Sequence, residues 1–142
     1  MNLNDYRKCF ELSFDQFILE NSVRDAQIKE NLSYEKLTGV VRVELDNSQF
    51  FFFKEGKLKL IYTSNEGVAN RIWKEFLATV GNNPEDVVRS RAGKTSNQRI
   101  FAKHGFTVST TTSDVDFVEI YPPCSLKLYL ENIYRDVPLF IR

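Results

Sequence analysis

Apolar residues recur along this chain with two periods, and the switches between them lay out its elements. Tyr6, Phe10, Phe14, Phe17 and Ile18 fall at helical spacing, with Arg7, Lys8, Glu11 and Asp15 between them. That spacing puts the rings on one stripe and predicts an amphipathic helix over 4–20, which Asn21-Ser22 ends. Residues 23–36 are polar, and Val23, Ile28 and Leu32 support at most a second short helix. From Val41 the period changes to two. Val41-Arg42-Val43-Glu44-Leu45 alternates as a half-buried strand must, and Asp46-Asn47-Ser48 reads as a turn. Gln49 to Lys54 is a second strand. Its four consecutive Phe, Phe50 to Phe53, leave no polar side, so it is expected to be buried on both faces or paired centrally. Glu55-Gly56 supplies a tight turn, and Lys57 to Tyr62 alternates again.

Ser64 or Asn65 then caps a helix. Val68, Ile72, Phe76, Leu77 and Val80 share its apolar face, and Gly81 and Asn82-Asn83-Pro84 stop it. Residues 87–97 carry the least pattern. Strands are predicted at 98–102, 105–110 and 115–121, the last broken by Pro122-Pro123. Ser125 caps a final helix that carries Leu126, Leu130, Ile133 and Tyr134, and the apolar tail Val137 to Ile141 is expected to dock on the body. The predicted order is α-βββ-α-βββ-α. Antiparallel meanders beside helices place the chain in the α+β class, with the helices packed on one face of the sheet or sheets. The two βββα units suggest a duplication, although no residue-level repeat accompanies it. With 142 residues and no linker, 1–142 reads as a single globular domain.

Composition then narrows the function. Hydrophobic residues make up 42% and aromatic residues 13%, enough for one core. Nineteen Lys and Arg balance 19 Asp and Glu, so bulk attraction to nucleic acid is excluded and such a role would need a local patch. The opening residues Met1 to Tyr6 lack a basic segment followed by an apolar one, and no apolar run approaches a membrane span. Cys9 and Cys124 lie far apart and match no metal or redox spacing. The expectations are a cytoplasmic protein with free thiols, no membrane contact, no cofactor and no metal.

One local patch does exist. Between Asp86 and Asp114 there is no acidic residue, while Arg89, Arg91, Lys94, Arg99, Lys103 and His104 all fall there among Gly, Ser, Thr, Asn and Gln. Guanidinium forks and free backbone amides both donate to oxyanions, so this stretch is a candidate for contacting nucleic acid, a nucleotide or an acidic protein partner. The plainer reading is a solvated loop balanced by Asp114, Asp116 and Glu119. Ala92-Gly93-Lys94-Thr95-Ser96 has the ending of a phosphate-binding loop, but the required earlier glycine is Val88 and no helix begins at the Lys-Thr pair. His104 is the only histidine, and no nucleophile with an orienting carboxylate is recognisable around it. An enzyme built on His104 therefore ranks last. Asp114, Asp116 and Glu119 read as solvent-facing strand charges rather than as a cation site. Most aromatics read as core. Trp73 stands apart, beside the Ile72–Phe76 stripe and between Arg71 and Lys74, as a candidate interface anchor.

The order of elements resembles two classes of small bacterial protein. One is the secretion-chaperone-like fold, which implies an effector polypeptide as ligand. The other is the broad group of immunity proteins, which implies a cognate toxin domain as partner. The leading expectation is a non-enzymatic protein-binding module, most concretely a toxin-immunity-type inhibitor that occludes its partner's active site. Nucleic-acid or nucleotide binding through residues 89–104 is the alternative. The oligomeric state is left open.

Overall fold

The computed structural model describes residues 1–46 and 48–136. The apolar tail from Val137 to Ile141, and Asn47 of the predicted turn at 46–48, lie outside the described residues.

The N-terminal apolar stripe folds as two helices rather than one. Asn2 caps α1 (Leu3–Lys8) in a capping box with Asp5. Ser13 and Gln16 form a second box that starts α2 (Phe14–Glu20). A 3-10 turn at Cys9–Glu11 and an extended Leu12 separate them. The Ser13 hydroxyl takes the Gln16 amide, so the backbone ladder restarts instead of running through. The stripe survives the break, because Tyr6, Phe10, Phe14 and Phe17 all pack into one cluster.

Among the described residues, eight strands form one antiparallel sheet. They are β1 (Ile28–Tyr34), β2 (Leu37–Leu45), β3 (Gln49–Lys54), β4 (Lys57–Thr63), β5 (Asp86–Arg89), β6 (Asn97–Phe101), β7 (Phe106–Thr110) and β8 (Val115–Ile120). Their spatial order is β1-β2-β3-β4-β8-β7-β6-β5. Helix α3 (Glu66–Thr79) links the two meanders, and the last strand of each forms the seam, with Ile61 opposite Ile120 and Thr63 opposite Val118. The α+β class, the antiparallel meanders and the packing of α1, α2 and α3 on one face are as the sequence predicts. Each meander has one more strand than the sequence pattern shows. The segment 23–36, read as a possible helix, supplies β1, and the unpatterned 87–97 stretch begins with β5. Both are edge strands. Most of their residues are exposed or only half-buried, so face burial imposes little alternation on them.

The four-Phe strand lies inside the sheet, which settles its place as interior rather than edge. Phe51 and Phe53 join Val43, Ile61, Phe106, Val118 and Ile120 on the face covered by α1, α2 and α3. Phe50 and Phe52 point the other way, with Leu60, Tyr62 and Tyr121. There a smaller second cluster is covered by α4 (Leu126–Asn132), whose Tyr129 is fully buried.

The β1–β2 hairpin also reaches this second face. Its pairing slips on both sides of Leu32, and Asn31, Glu35 and Gly39 take positive φ. Such irregularities bend a hairpin. The bend carries its tip over the sheet, where the Tyr34 ring packs on Phe52 and Tyr62.

Gly105 fixes the other end of the sheet. It has φ +62, and a Cβ there would lie 1.9 Å from the Tyr121 carbonyl oxygen. Its own carbonyl accepts the Tyr121 N–H at 2.9 Å. Both the conformation and the space demand glycine. Gly105→Ala is expected to cost at least about 2 kcal/mol, read as a shift in the urea unfolding midpoint. Gly81→Ala, with positive φ but open space around it, is expected to cost less.

Candidate functional site

Helix α3 begins where Asn65 accepts the Val68 amide, and its inner face is Ala69, Ile72 and Phe76. Trp73 is one position off that stripe, so its ring lies at the margin of the core instead of inside it. It stacks on Phe106 at 6.1 Å and on Phe76 at 6.0 Å and remains half-buried. Beside it, β6 carries Arg99, paired in register with Val108. These two residues line one groove of about 240 Å³, together with Asn70, Asn82 and the β7–β8 turn from Thr110 to Val115. That turn braces itself. The Thr111 hydroxyl accepts the Asp114 amide at 2.9 Å, and the Thr111 amide donates to the Asp114 carbonyl at 2.9 Å. The groove therefore combines an indole wall, a guanidinium, amides, hydroxyls and the Asp114 carboxylate on a stiff frame.

The rest of the basic window is spread over other places. Arg89, on β5, pairs with Asp136 at 3.1 Å. Lys94 is exposed on the β5–β6 turn, which closes through hydrogen bonds from the Ser96 amide to the Gly93 carbonyl and from the Ser90 amide to the Ser96 carbonyl. Lys103 and His104 lie on the 3-10 turn Ala102–His104 beside a different cavity. Arg91 stands on the same turn as Lys94, but its side chain, 29% exposed, runs back over the second face of the sheet. The guanidinium lies 4.2 Å above the Phe117 ring and 3.1 Å from Glu35. The structure thus brings Trp73 and Arg99 together, and separately Lys103 and His104. It does not gather the six basic residues into one surface.

Arg91 leads to a group that sequence reasoning missed. Glu119, read as a solvent-facing strand charge, is 1% exposed. Tyr34 donates its hydroxyl to one carboxylate oxygen, and Tyr129 donates to the other at 2.5 Å. Arg91 donates to the Tyr34 hydroxyl at 2.7 Å and sits 3.9 Å from the carboxylate itself. Gln98, also buried, donates to the Tyr129 hydroxyl at 3.3 Å. Glu119 thus holds together the hairpin tip, α4, the β5–β6 turn and the centre of the sheet. Burial raises its carboxyl above the usual value, and Arg91 and the two tyrosine donors offset this only in part. Burial also lifts the Tyr34 hydroxyl well above the ordinary range, helped by the neighbouring carboxylate. Burial alone would lower the Arg91 guanidinium, but Tyr34, Glu119 and Glu35 outweigh it and hold it above its usual value. A signal for Glu119 was present in the sequence. It shares a face with Phe117 and Tyr121, while Val118 and Ile120 make the opposite face apolar too. A strand apolar on both sides is interior, so a charge on it must be buried and partnered.

Asp116 departs from simple alternation as well. The β7–β8 register slips between Ser109 and Thr110, and Asp116 accepts a hydrogen bond from Ser109 at 2.9 Å. Ser109 in turn bonds Ser90 at 2.6 Å. Among the described residues, no group of three or more His, Cys, Asp or Glu side chains is placed to hold a metal ion, and no helix is long and apolar enough to cross a membrane.

Glu119→Ala is expected to destabilise the fold by about 3 kcal/mol, because it leaves the buried Tyr34 and Tyr129 hydroxyls without their acceptor and removes the buried carboxylate from its network. The pH dependence follows from the raised carboxyl. Between 4.5 and its folded value the native state holds a proton that the unfolded chain releases. Stability contributed by this group is therefore full below 4.5 and falls as pH rises through that window. Subtracting the urea stability of Glu119→Gln from that of the parent protein, pH by pH, should leave this falling slope. A flat or rising difference would contradict the assignment.

No protein-family model matches this chain, and neither a curated protein nor a solved structure does.

Proposed function

We propose that this protein is a non-enzymatic protein-binding module of the cytoplasm, most concretely an inhibitor of the toxin-immunity type that occludes its partner's active site. The observation that carries this reading is the groove that sets Trp73 against Arg99. Trp and Arg are the residue types that dominate binding energy at protein interfaces. Trp73 is already stacked on Phe106 and Phe76, so little side-chain freedom is lost when a partner packs on it. Arg99 and Asp114 offer both signs of charge, and the Thr110–Ser113 stretch supplies hydroxyls for a polar rim.

The dispersal of the basic window supports a protein partner over nucleic acid. A phosphate backbone is held by a continuous cationic track. Here Arg89 and Arg91 are engaged by Asp136, Glu35 and Glu119, and the formal net charge is zero.

The test is purification of the tagged protein from its native host at low salt. A second polypeptide in equal amount is expected. Trp73→Ala should weaken its binding by about 30-fold, as loss of an interface anchor does. Arg99→Glu should slow association, with an effect that shrinks at high salt. Nucleic acid that co-purifies and washes away with salt would overturn this reading. So would a stoichiometric partner held equally by parent and Trp73→Ala.

A further inference from the structure

A second cavity lies beside the Ala102–His104 turn, separate from the Trp73 groove. It holds about 300 Å³, near the lower limit for small-molecule sites. Its walls come from the end of α1 and the residue Phe10, from the 3-10 turn, and from Tyr121-Pro122-Pro123 after β8.

These walls are locked before any ligand arrives. The Cys124 amide donates to the Ala102 carbonyl at 2.9 Å, and the Tyr121 amide to the Gly105 carbonyl at 2.9 Å. Gly105 presses directly on the Tyr121 backbone, and the two prolines fix their own φ. Arg7 joins α1 to the turn by donating from Nη2 to the His104 carbonyl at 3.3 Å.

The chemistry of the lining is one-sided. Arg7, Lys103 and His104 all contribute to it, and no carboxylate does. Arg71, Arg89, Arg91 and Lys127 are held in ion pairs, and none of them lines this cavity. The nearby Glu85 carboxylate accepts the Lys103 backbone amide at 2.8 Å. Burial lowers the Arg7 guanidinium from its usual value, as expected of a partly desolvated cation without a counter-charge. The other wall is apolar. Phe10 and the proline rings supply it, while the Tyr121 hydroxyl is engaged elsewhere by Thr107 and the Phe106 carbonyl.

We propose that this cavity binds a small aromatic oxyanion, a ring bearing a carboxylate or a phosphate, with Arg7 and Lys103 on the anion and Phe10 and Pro122-Pro123 against the ring. A guanidinium and an ammonium on residues that line one cavity suit an oxyanion, and a flat apolar wall next to them suits a ring rather than a free inorganic ion.

The test is calorimetric titration of the full chain with phenyl phosphate, benzoate and inorganic phosphate. One aromatic anion at least is expected to bind one to one at millimolar concentration or below, with inorganic phosphate about tenfold weaker or more, as loss of the ring contact implies. The better of phenyl phosphate and benzoate names the anionic group. Arg7→Gln should weaken binding by about tenfold, the loss of one charge-assisted hydrogen bond, with the melting temperature unchanged. Should Arg7→Gln fail to fold, Lys103→Gln is expected to give the same loss. Amide shifts on titration should centre on Lys103, His104, Gly105, Tyr121 and Cys124. Absence of binding by both aromatic anions would overturn the proposal. Equal binding of inorganic phosphate, full affinity in a folded Arg7→Gln or Lys103→Gln, or shifts centred elsewhere would do the same.

Discussion

The buried Glu119 carboxylate is the constraint around which the second face of the sheet is arranged. A carboxylate away from water is unfavourable unless every oxygen is satisfied and a cation stands near. Glu119 meets this demand with donors drawn from distant parts of the chain: Tyr34 from the β1–β2 hairpin, Tyr129 from α4 and Arg91 from the β5–β6 turn. The hairpin tip also bonds the end of α4, where the Lys36 amide donates to the Ile133 carbonyl at 3.1 Å. Apolar packing alone would let each segment settle in several ways, because the hydrophobic effect is non-directional. Hydrogen bonds to one carboxylate allow far fewer arrangements. Glu119 is therefore better understood as an orienting device than as a source of net stability, since a buried charge network is often matched by an apolar one of equal volume.

The seam between the meanders explains why such a device is needed. The β4–β8 pairing joins the two four-stranded meanders into one sheet, and α3 packs across them on one face only. On the opposite face, α4 is short and the hairpin must bend at Asn31 and Gly39 to cross the strands. Glu119 sits on β8 opposite Tyr62 of β4 and Thr107 of β7, directly at that seam. The aromatic row of Phe50, Tyr62 and Phe117 crosses the same strands and gives the Arg91 guanidinium a bed of rings.

Periodicity made the interior of this fold legible. The strands at 49–54, 57–63 and 97–101, the α3 cap at Asn65 and the α4 cap at Ser125 all follow from local pattern. The edge strands β1 and β5 did not, because most of their residues are exposed or only half-buried and so show little alternation, and β1 is bulged as well. The break at Ser13 was written in its capping box, yet the continuous apolar stripe around it favoured a single helix. Of the candidate site, the half-exposed position of Trp73 could be read from its place one step off a buried stripe. The pairing of Trp73 with Arg99 could not, because it depends on where α3 crosses the sheet.

The fate of the basic window shows why counting charges along a sequence says little about a surface. Strands reverse direction and alternate sides, so neighbours in sequence diverge in space. Arg89 belongs to the edge strand β5 and Arg99 to its neighbour β6, Arg91 to the turn between them, and Lys103 and His104 to the turn after β6. A run that looks like one patch becomes a set of separate cations, each answered by its own surroundings. Arg91 meets carboxylates and rings, Arg89 meets Asp136, and Arg99 meets an indole across a groove. Internal partners make the first two part of the scaffold. What such a chain can recognise is therefore set by the cations that folding leaves facing a cavity, and these are fewer and more local than the sequence suggests.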